Sequence, residues 1–168
     1  MIRKYQTKTQ YLASTALFAA LICLTTAYLF HIPFGANGGY IHIGDALIYV
    51  AASILPPSYA IFAGAIGGAM ADLLSAPIWA PATFFIKMLI ALPFSHKGTK
   101  IICLRNISAI FLAGTISCAG YAIAEYIIYG NEAVIYASLI SSFTQAVGSG
   151  IVYLFIGHAL DRTHFKQR

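Results

Sequence analysis

Long apolar segments alternate with short stretches of proline, glycine or basic residues along almost the whole chain. Apolar runs of this kind, broken at prolines and glycines, favour helices joined by tight connections over alternating strands. The pattern predicts an all-α protein of six helices. They are expected at about 11–30, 42–55, 58–74, 79–93 and 106–129, with a sixth ending near 161.

The second predicted helix is short for a membrane span. At 1.5 Å per residue, its roughly 14 residues would not cross an apolar core about 30 Å thick. A re-entrant segment is therefore an alternative. If it alone were re-entrant, however, the basic stretch 95–105 would face the side opposite the basic N-terminus, against the orientation rule for Lys and Arg.

Composition places these helices in a bilayer. Hydrophobic residues make up 60% of the chain and charged residues only 9%, with a mean hydropathy of +0.79. A soluble globule of this size needs more polar surface. We therefore expect one integral membrane domain over residues 1–168.

The positive charges fix the expected orientation. Nine of the ten Lys and Arg residues lie in three short stretches at helix ends: Arg3, Lys4 and Lys8; Lys97, Lys100 and Arg105; Arg162, Lys166 and Arg168. Clusters of this kind mark cytoplasmic segments. They predict a multi-pass protein of the plasma membrane with six spanning helices and both termini in the cytoplasm, and argue against a nucleic-acid partner.

Four ionisable residues fall inside apolar segments, where burial is costly and a functional role is the default hypothesis. Lys87 and Glu125 have similar predicted depths and are expected to meet in an outer cavity, either to bind a ligand or as a structural ion pair. For Asp45 and Asp72 we favour helix capping and hydrogen bonding at helix ends near the membrane interface. Asp45 is nevertheless kept as a binding candidate, because it follows the glycine-rich loop that contains Asn37.

Polar and aromatic residues share helical faces near this depth. Tyr121 and Glu125 lie on one face, and Gln145 belongs to a polar stripe on the sixth helix. Serines in that stripe also suit contacts between helices. A cavity with these groups would suit a small, flat, polar molecule, with loop 35–39 closing over it. The candidate binding residues are Lys87, Glu125, Gln145, Tyr121, Trp79, Tyr40, Asn37 and Asp45.

Small residues at four-residue spacing indicate close helix packing. Gly64 with Gly68, and Ser142 with Ala146 and Gly150, favour contacts inside the bundle. Ala16 and Ala20 on the first helix suit either an internal contact or a partner helix.

The sequence contains no phosphate-binding loop, no nucleophile elbow and no zinc-protease motif. The histidines and the three cysteines have no metal-ligand spacing. We therefore expect neither an enzyme nor a bound metal or cofactor. An intramembrane enzyme using Asp45, Asp72 and Glu125, and a self-sufficient carrier, are the alternatives.

Several segments resemble the substrate-binding S components of energy-coupling factor (ECF) transporters. They are the helix with Ala16 and Ala20, the run GGYIHIGD at 38–45, the pair Pro56–Pro57 and the run ADLLS at 71–75. The resemblance implies a vitamin or related micronutrient bound from the extracellular side. It also implies a transmembrane coupling subunit, docked at Ala16 and Ala20, and two cytoplasmic ATPase subunits. Leu12 and Leu24 flank the alanines, which makes the expected docking face shorter than is usual in that family.

Overall fold

The computed structural model describes residues 7–29, 32–33, 40–130 and 132–167. Within these ranges six α-helices follow one another, with two short strands between the first and second. The helices are α1 (Lys8–Ala27), α2 (Gly44–Ile54), α3 (Pro57–Ser75), α4 (Ala80–Ala91), α5 (Leu104–Tyr129) and α6 (Glu132–Arg162). The strands β1 (Ile32–Pro33) and β2 (Tyr40–Ile41) pair antiparallel, and 3₁₀ turns occupy Pro77–Trp79 and Phe165–Gln167.

The six predicted helices are confirmed in number and order, and differences are confined to their ends. α1 begins three residues earlier than expected because Thr7 and Gln10 form a capping box, in which each side chain bonds the other's backbone N–H. It ends at Ala27 rather than at Phe30, which lies outside the described residues. α3 begins at Pro57, which suits the first turn of a helix.

Helix length divides the bundle into two groups. In the described part of the chain, four helical segments are long and apolar enough to cross a membrane: α1, α3, α5 and residues 138–162 of α6. α2 has 11 residues and spans only about 16 Å. The helical stretch from Pro77 to Ala91 is also short.

The short helix α2 lies in the centre of the bundle. It contacts α1, α3, α4 and α6, and nine of its 11 residues are buried. The long helices instead expose large apolar side chains, including Leu17, Phe111, Ile127 and Phe155. This distribution suits a protein surrounded by lipid, with its most enclosed helix shielded from the acyl chains.

Glycines on α3 allow its neighbours to approach closely. A Cβ atom on Gly67 would lie 2.6 Å from the carbonyl oxygen of Ala19 on α1. On the other side of α3, a Cβ on Gly64 would lie 3.2 Å from the carbonyl oxygen of Lys87. The internal packing role expected for the small residues of α3 is confirmed, and one helix serves two interfaces.

The small residues of α6 also pack inside the bundle. A Cβ atom on Gly114 of α5 would lie 3.2 Å from that of Ala146, and one on Gly150 would lie 2.9 Å from Ile110. The prediction of an internal contact for α6 is therefore confirmed.

Hydrogen bonds fix the basic loop, which we define as residues 95–105. The buried Asn106 side chain accepts from the Ser95 backbone and donates to the Ser95 and Ile101 carbonyls. At the end of α6, the Asp161 carboxylate accepts from the backbone N–H groups of Ile101 and Ile102, at 2.7 and 2.9 Å. The loop is therefore attached to both α5 and α6.

Candidate functional site

Three polar side chains from three helices form a continuous chain of contacts inside the bundle. The Lys87 Nζ atom donates to Oδ1 of Asp45 at 2.6 Å, and Gln145 Nε2 donates to Oδ2 of the same carboxylate at 2.9 Å. Lys87 and Asp45 are each only 1% exposed, and Gln145 is 6% exposed. We call Lys87, Asp45 and Gln145 the polar row. It joins α4, α2 and α6 and carries no net charge.

The ion pair differs from the one expected from helix depth. Lys87 pairs with Asp45 rather than with Glu125. The ion-pair alternative is therefore wrong, because depth along a helix does not reveal which helices are neighbours, and α2 contacts both α4 and α6 in the bundle centre. A shared role of Lys87 and Glu125 in ligand binding stays a prediction. The capping role favoured for Asp45 is also wrong, since α2 has no side-chain cap and this carboxylate is taken up by the polar row.

Small and aromatic residues surround the side chain of Lys87. A Cβ atom on Gly68 would lie 2.8 Å from Cγ of Lys87, so the stem of the lysine occupies the space that glycine leaves. The Lys87 ammonium lies 5.1 Å from the ring centroid of Tyr121, a cation–π distance. The Tyr121 hydroxyl is hydrogen-bonded to Thr83, one turn before Lys87, at 3.0 Å. The amine is thereby directed at Asp45.

An aromatic group lies beside the row. The ring of Trp79 lies 6.2 Å from that of Tyr121 and 6.1 Å from that of Tyr129, measured between centroids. The indole Nε1 of Trp79 is buried and has no hydrogen-bond partner among the described residues. Glu125, between the two tyrosines on α5, is also buried. Buried rings with polar edges suit contact with a flat ligand.

α2 and α6 also contact each other beyond the polar row. The Ser53 and Tyr153 hydroxyls are 2.8 Å apart, and this pair is separated by 100 residues in sequence, as are Asp45 and Gln145. The two helices therefore run parallel, and both begin at the same end of the bundle, which we call the outer end. Asn106 also donates to Ser53, at 3.2 Å, and so links these contacts to the basic loop.

The sequence did not predict the hydrogen bonds that join Ser53 to Tyr153 and Asn106. A signal existed, because Asp45, Tyr49 and Ser53 recur every four residues on α2 and so share one face of that helix. Tyr49 and Ser149 occupy the middle turn between the two hydrogen-bonded pairs, and both are fully buried. Each hydroxyl lacks a hydrogen-bond partner among the described residues.

The structure describes the remaining candidate residues to different extents. Asn37 and loop 35–39 lie outside the described residues, and for Tyr40 the description covers only the backbone, in β2. Ala16 and Ala20 are exposed on α1. Within the described part of the chain, no group of three or more His, Cys, Asp or Glu residues is placed to hold a metal ion.

Comparison with known proteins identifies the family. Residues 6–162 match the model of the ECF-type riboflavin transporter S component family. An uncharacterized protein of Pyrococcus woesei is 31% identical over 139 residues, which cover 82% of this chain and 93% of that protein. A solved S component of a bacterial ECF transporter has the same fold, with a TM-score of 0.73 over 94% of this chain and 98% of the other, at 16% identity. The chain belongs to the ECF-type riboflavin transporter S component family, whose members are transporter subunits and not enzymes.

Proposed function

We propose that this protein is the membrane-embedded substrate-binding subunit of an ECF transporter, and that its ligand is riboflavin. The observation that carries the proposal is the buried polar row beside the rings of Trp79 and Tyr121. Riboflavin has a flat three-ring system with hydrogen-bonding groups along one edge. Such a ligand requires both an aromatic surface and a few directed polar groups.

The polar row is better explained by ligand binding than by stability alone. A buried ion pair contributes little net stability, because removing two charges from water offsets much of their attraction. Ionisable groups inside a membrane bundle usually mark a substrate path. Asp45 also lies in the first turn of α2, near the outer end, where a ligand from outside would arrive first.

For the whole molecule we propose six membrane crossings, with both termini and the basic loop in the cytoplasm. The basic clusters support this orientation, and it places the outer end of the bundle on the extracellular side. The short helices α2 and α4 would make their crossings inside the bundle, where longer helices shield them from lipid. A transmembrane coupling subunit would dock on the exposed Ala16 and Ala20, and two cytoplasmic ATPases would drive transport.

The proposal is tested by titrating the purified protein in detergent with riboflavin and following quenching of the flavin fluorescence. Gln145→Met removes one donor of the polar row but keeps the Lys87–Asp45 pair. We expect it to weaken binding about tenfold, the effect of one hydrogen bond to a charged group. Lys97→Met, in the exposed basic loop, is the matched control and should bind like the wild type.

Failure of the folded wild-type protein to bind riboflavin would refute the choice of ligand. Equal affinity in Gln145→Met and Lys97→Met would remove the polar row from the binding site. Thermal unfolding of each variant in the same detergent verifies that the proteins compared are folded.

A further inference from the structure

The polar row presents its hydrogen-bonding groups in a defined order. Lys87 offers N–H donors, Asp45 offers carboxylate acceptors and Gln145 again offers N–H donors, so the row is arranged as donor, acceptor, donor. Resting on the riboflavin-binding function proposed above, we infer that the row binds the imide edge of the ligand, in which an N–H lies between two carbonyl groups.

Each member of the row has hydrogen-bonding capacity left over. An ammonium has three N–H donors, a side-chain amide has two, and a carboxylate has about four acceptor positions. Among the described residues, hydrogen bonds within the row use one donor of Lys87, one of Gln145 and two positions of Asp45. Buried polar groups normally satisfy this capacity. Lys87 and Gln145 bond the two different oxygens of Asp45, so donors lie on both sides of the carboxylate, in the order that one ligand edge needs to engage all three residues.

The imide is the complementary group. Its two carbonyl oxygens accept hydrogen bonds from Lys87 and Gln145, and the N–H between them donates to Asp45. The pyrimidine end of the riboflavin ring system carries one such edge. With the imide in place, every donor in the contact meets an acceptor, and no charge is left without a partner.

Charge restricts the ligand further. A carboxylate or phosphate at this position would approach Asp45, and a ligand amine would approach Lys87, and like charges in contact disfavour binding by several kcal/mol. The row itself is neutral, so it selects a polar but uncharged edge. Specificity of this kind depends on the groups that would be left unpaired by the wrong ligand.

The surrounding rings are placed to hold the rest of the ligand. The Tyr121 ring lies 5.1 Å from the Lys87 ammonium, and Trp79 lies beside Tyr121. A flat ring system whose imide edge reaches the polar row would therefore contact these aromatic groups. The buried N–H of Trp79 supplies one more donor near the same surface.

The experiment compares riboflavin with N3-methylriboflavin, in which a methyl group replaces the hydrogen of the imide. We expect the wild type to bind the methylated compound at least tenfold more weakly, because the donor to Asp45 is lost. 5-Deazariboflavin, which keeps the imide edge, should bind within a few-fold of riboflavin. A double variant, Asp45→Leu with Lys87→Met, removes both charges and the acceptor at position 45 together, and avoids leaving one charge buried alone.

In this double variant riboflavin and N3-methylriboflavin should bind with nearly equal dissociation constants. If the preference persists, the methyl group acts by its size alone and the inference is wrong. If the wild type binds both compounds equally, the imide inference fails while riboflavin binding stands. If no flavin binds, the proposed function fails and the inference fails with it.

A second measurement does not depend on the variant folding. Infrared difference spectra of wild-type protein with bound riboflavin should show both imide carbonyl bands at lower frequency than those of riboflavin in an aprotic solvent, as expected for carbonyls that accept hydrogen bonds. Bands at the frequencies of the aprotic solvent would overturn the inference.

Discussion

At the scale of single residues, the candidate site depends on a glycine as much as on its charged groups. Gly68 leaves the space that the stem of Lys87 fills, and a methyl group there would also lie 3.2 Å from Cγ2 of Thr83. Asp45 holds the amine end of Lys87, so the stem cannot move away from Gly68 without disturbing that contact. Gly68 therefore positions Lys87, and in the proposed site it would do so without touching the ligand itself.

We expect Gly68→Ala to weaken riboflavin binding about tenfold, because a displacement of Lys87 lengthens its contact with Asp45 and disturbs the whole row. The measurement is the fluorescence titration described above. Gly148→Ala, on α6, is the control, since a Cβ atom there meets nothing within 4 Å among the described residues.

The control should bind normally and unfold at the same or a slightly higher temperature, because alanine favours a helix over glycine by about 0.5–1 kcal/mol. A Gly68→Ala protein that binds like the control would show that Lys87 adjusts without loss. In that case Gly68 would have only a packing role.

Sequence reasoning found the members of the polar row but not their arrangement. Lys87 and Asp45 were singled out because ionisable groups are rare in apolar segments, and Gln145 because it continues a polar stripe. Their hydrogen-bond partners could not be predicted, since helical periodicity gives the depth and face of a residue but not the neighbouring helix. Glu125 was matched to Lys87 by depth, whereas the nearer carboxylate comes from the central helix α2.

At the scale of elements, Asn106 joins three parts of the structure. Its side chain bonds the backbone of the basic loop at Ser95 and Ile101, and donates to Ser53 on α2. It is fully buried, at 0% exposure. One amide group therefore sets the position of the basic loop relative to α2 and α5.

We expect Asn106→Ala to lower the free energy of unfolding by about 2 kcal/mol, because several buried backbone and hydroxyl groups lose their partner at once. The basic loop should also become more accessible to trypsin at Lys97 and Lys100. Ser108→Ala is the matched control, since Ser108 is exposed and, among the described residues, its hydroxyl bonds only the carbonyl of Arg105 on its own helix. Equal stability and equal cleavage of the two variants would contradict this account.

The helices themselves were predictable to within a few residues, because prolines and glycines mark most of their ends. The early start of α1 depends on the Thr7–Gln10 capping box, a local pattern that was visible in the sequence. The central position of α2 was not predictable. Its shortness suggested a re-entrant segment as an alternative to a crossing, whereas its enclosure by α1, α3, α4 and α6 is visible only in the structure.

At the scale of the whole molecule, α1 leaves much of its surface exposed. It packs mainly against α3 and, through fewer contacts, against α2. Its other faces expose Ala16 and Ala20 together with leucines such as Leu17. Small side chains on an exposed helix allow a partner helix to approach closely within a membrane.

Replacing Ala16 and Ala20 by leucine should therefore abolish riboflavin uptake by cells that contain the coupling subunit and ATPases, while riboflavin binding by the purified protein stays unchanged. Ala119→Leu, at an exposed position of α5, controls for added bulk on the lipid-facing surface and should leave uptake intact. Normal uptake by the double variant would exclude these alanines from docking. Uptake into vesicles without coupling subunits or ATP would instead indicate a self-sufficient carrier.

The three residues of the polar row are far apart in the sequence, and this spacing affects the order in which they enter the membrane during translation. Asp45 emerges from the ribosome 42 residues before Lys87 and 100 residues before Gln145. During translation, α2 would thus carry a carboxylate without its counter-ion, on a segment too short to be retained in the bilayer alone. We therefore expect stable insertion of α2 to await synthesis of α4, so that the nascent chain reaches its final topology only late in biogenesis.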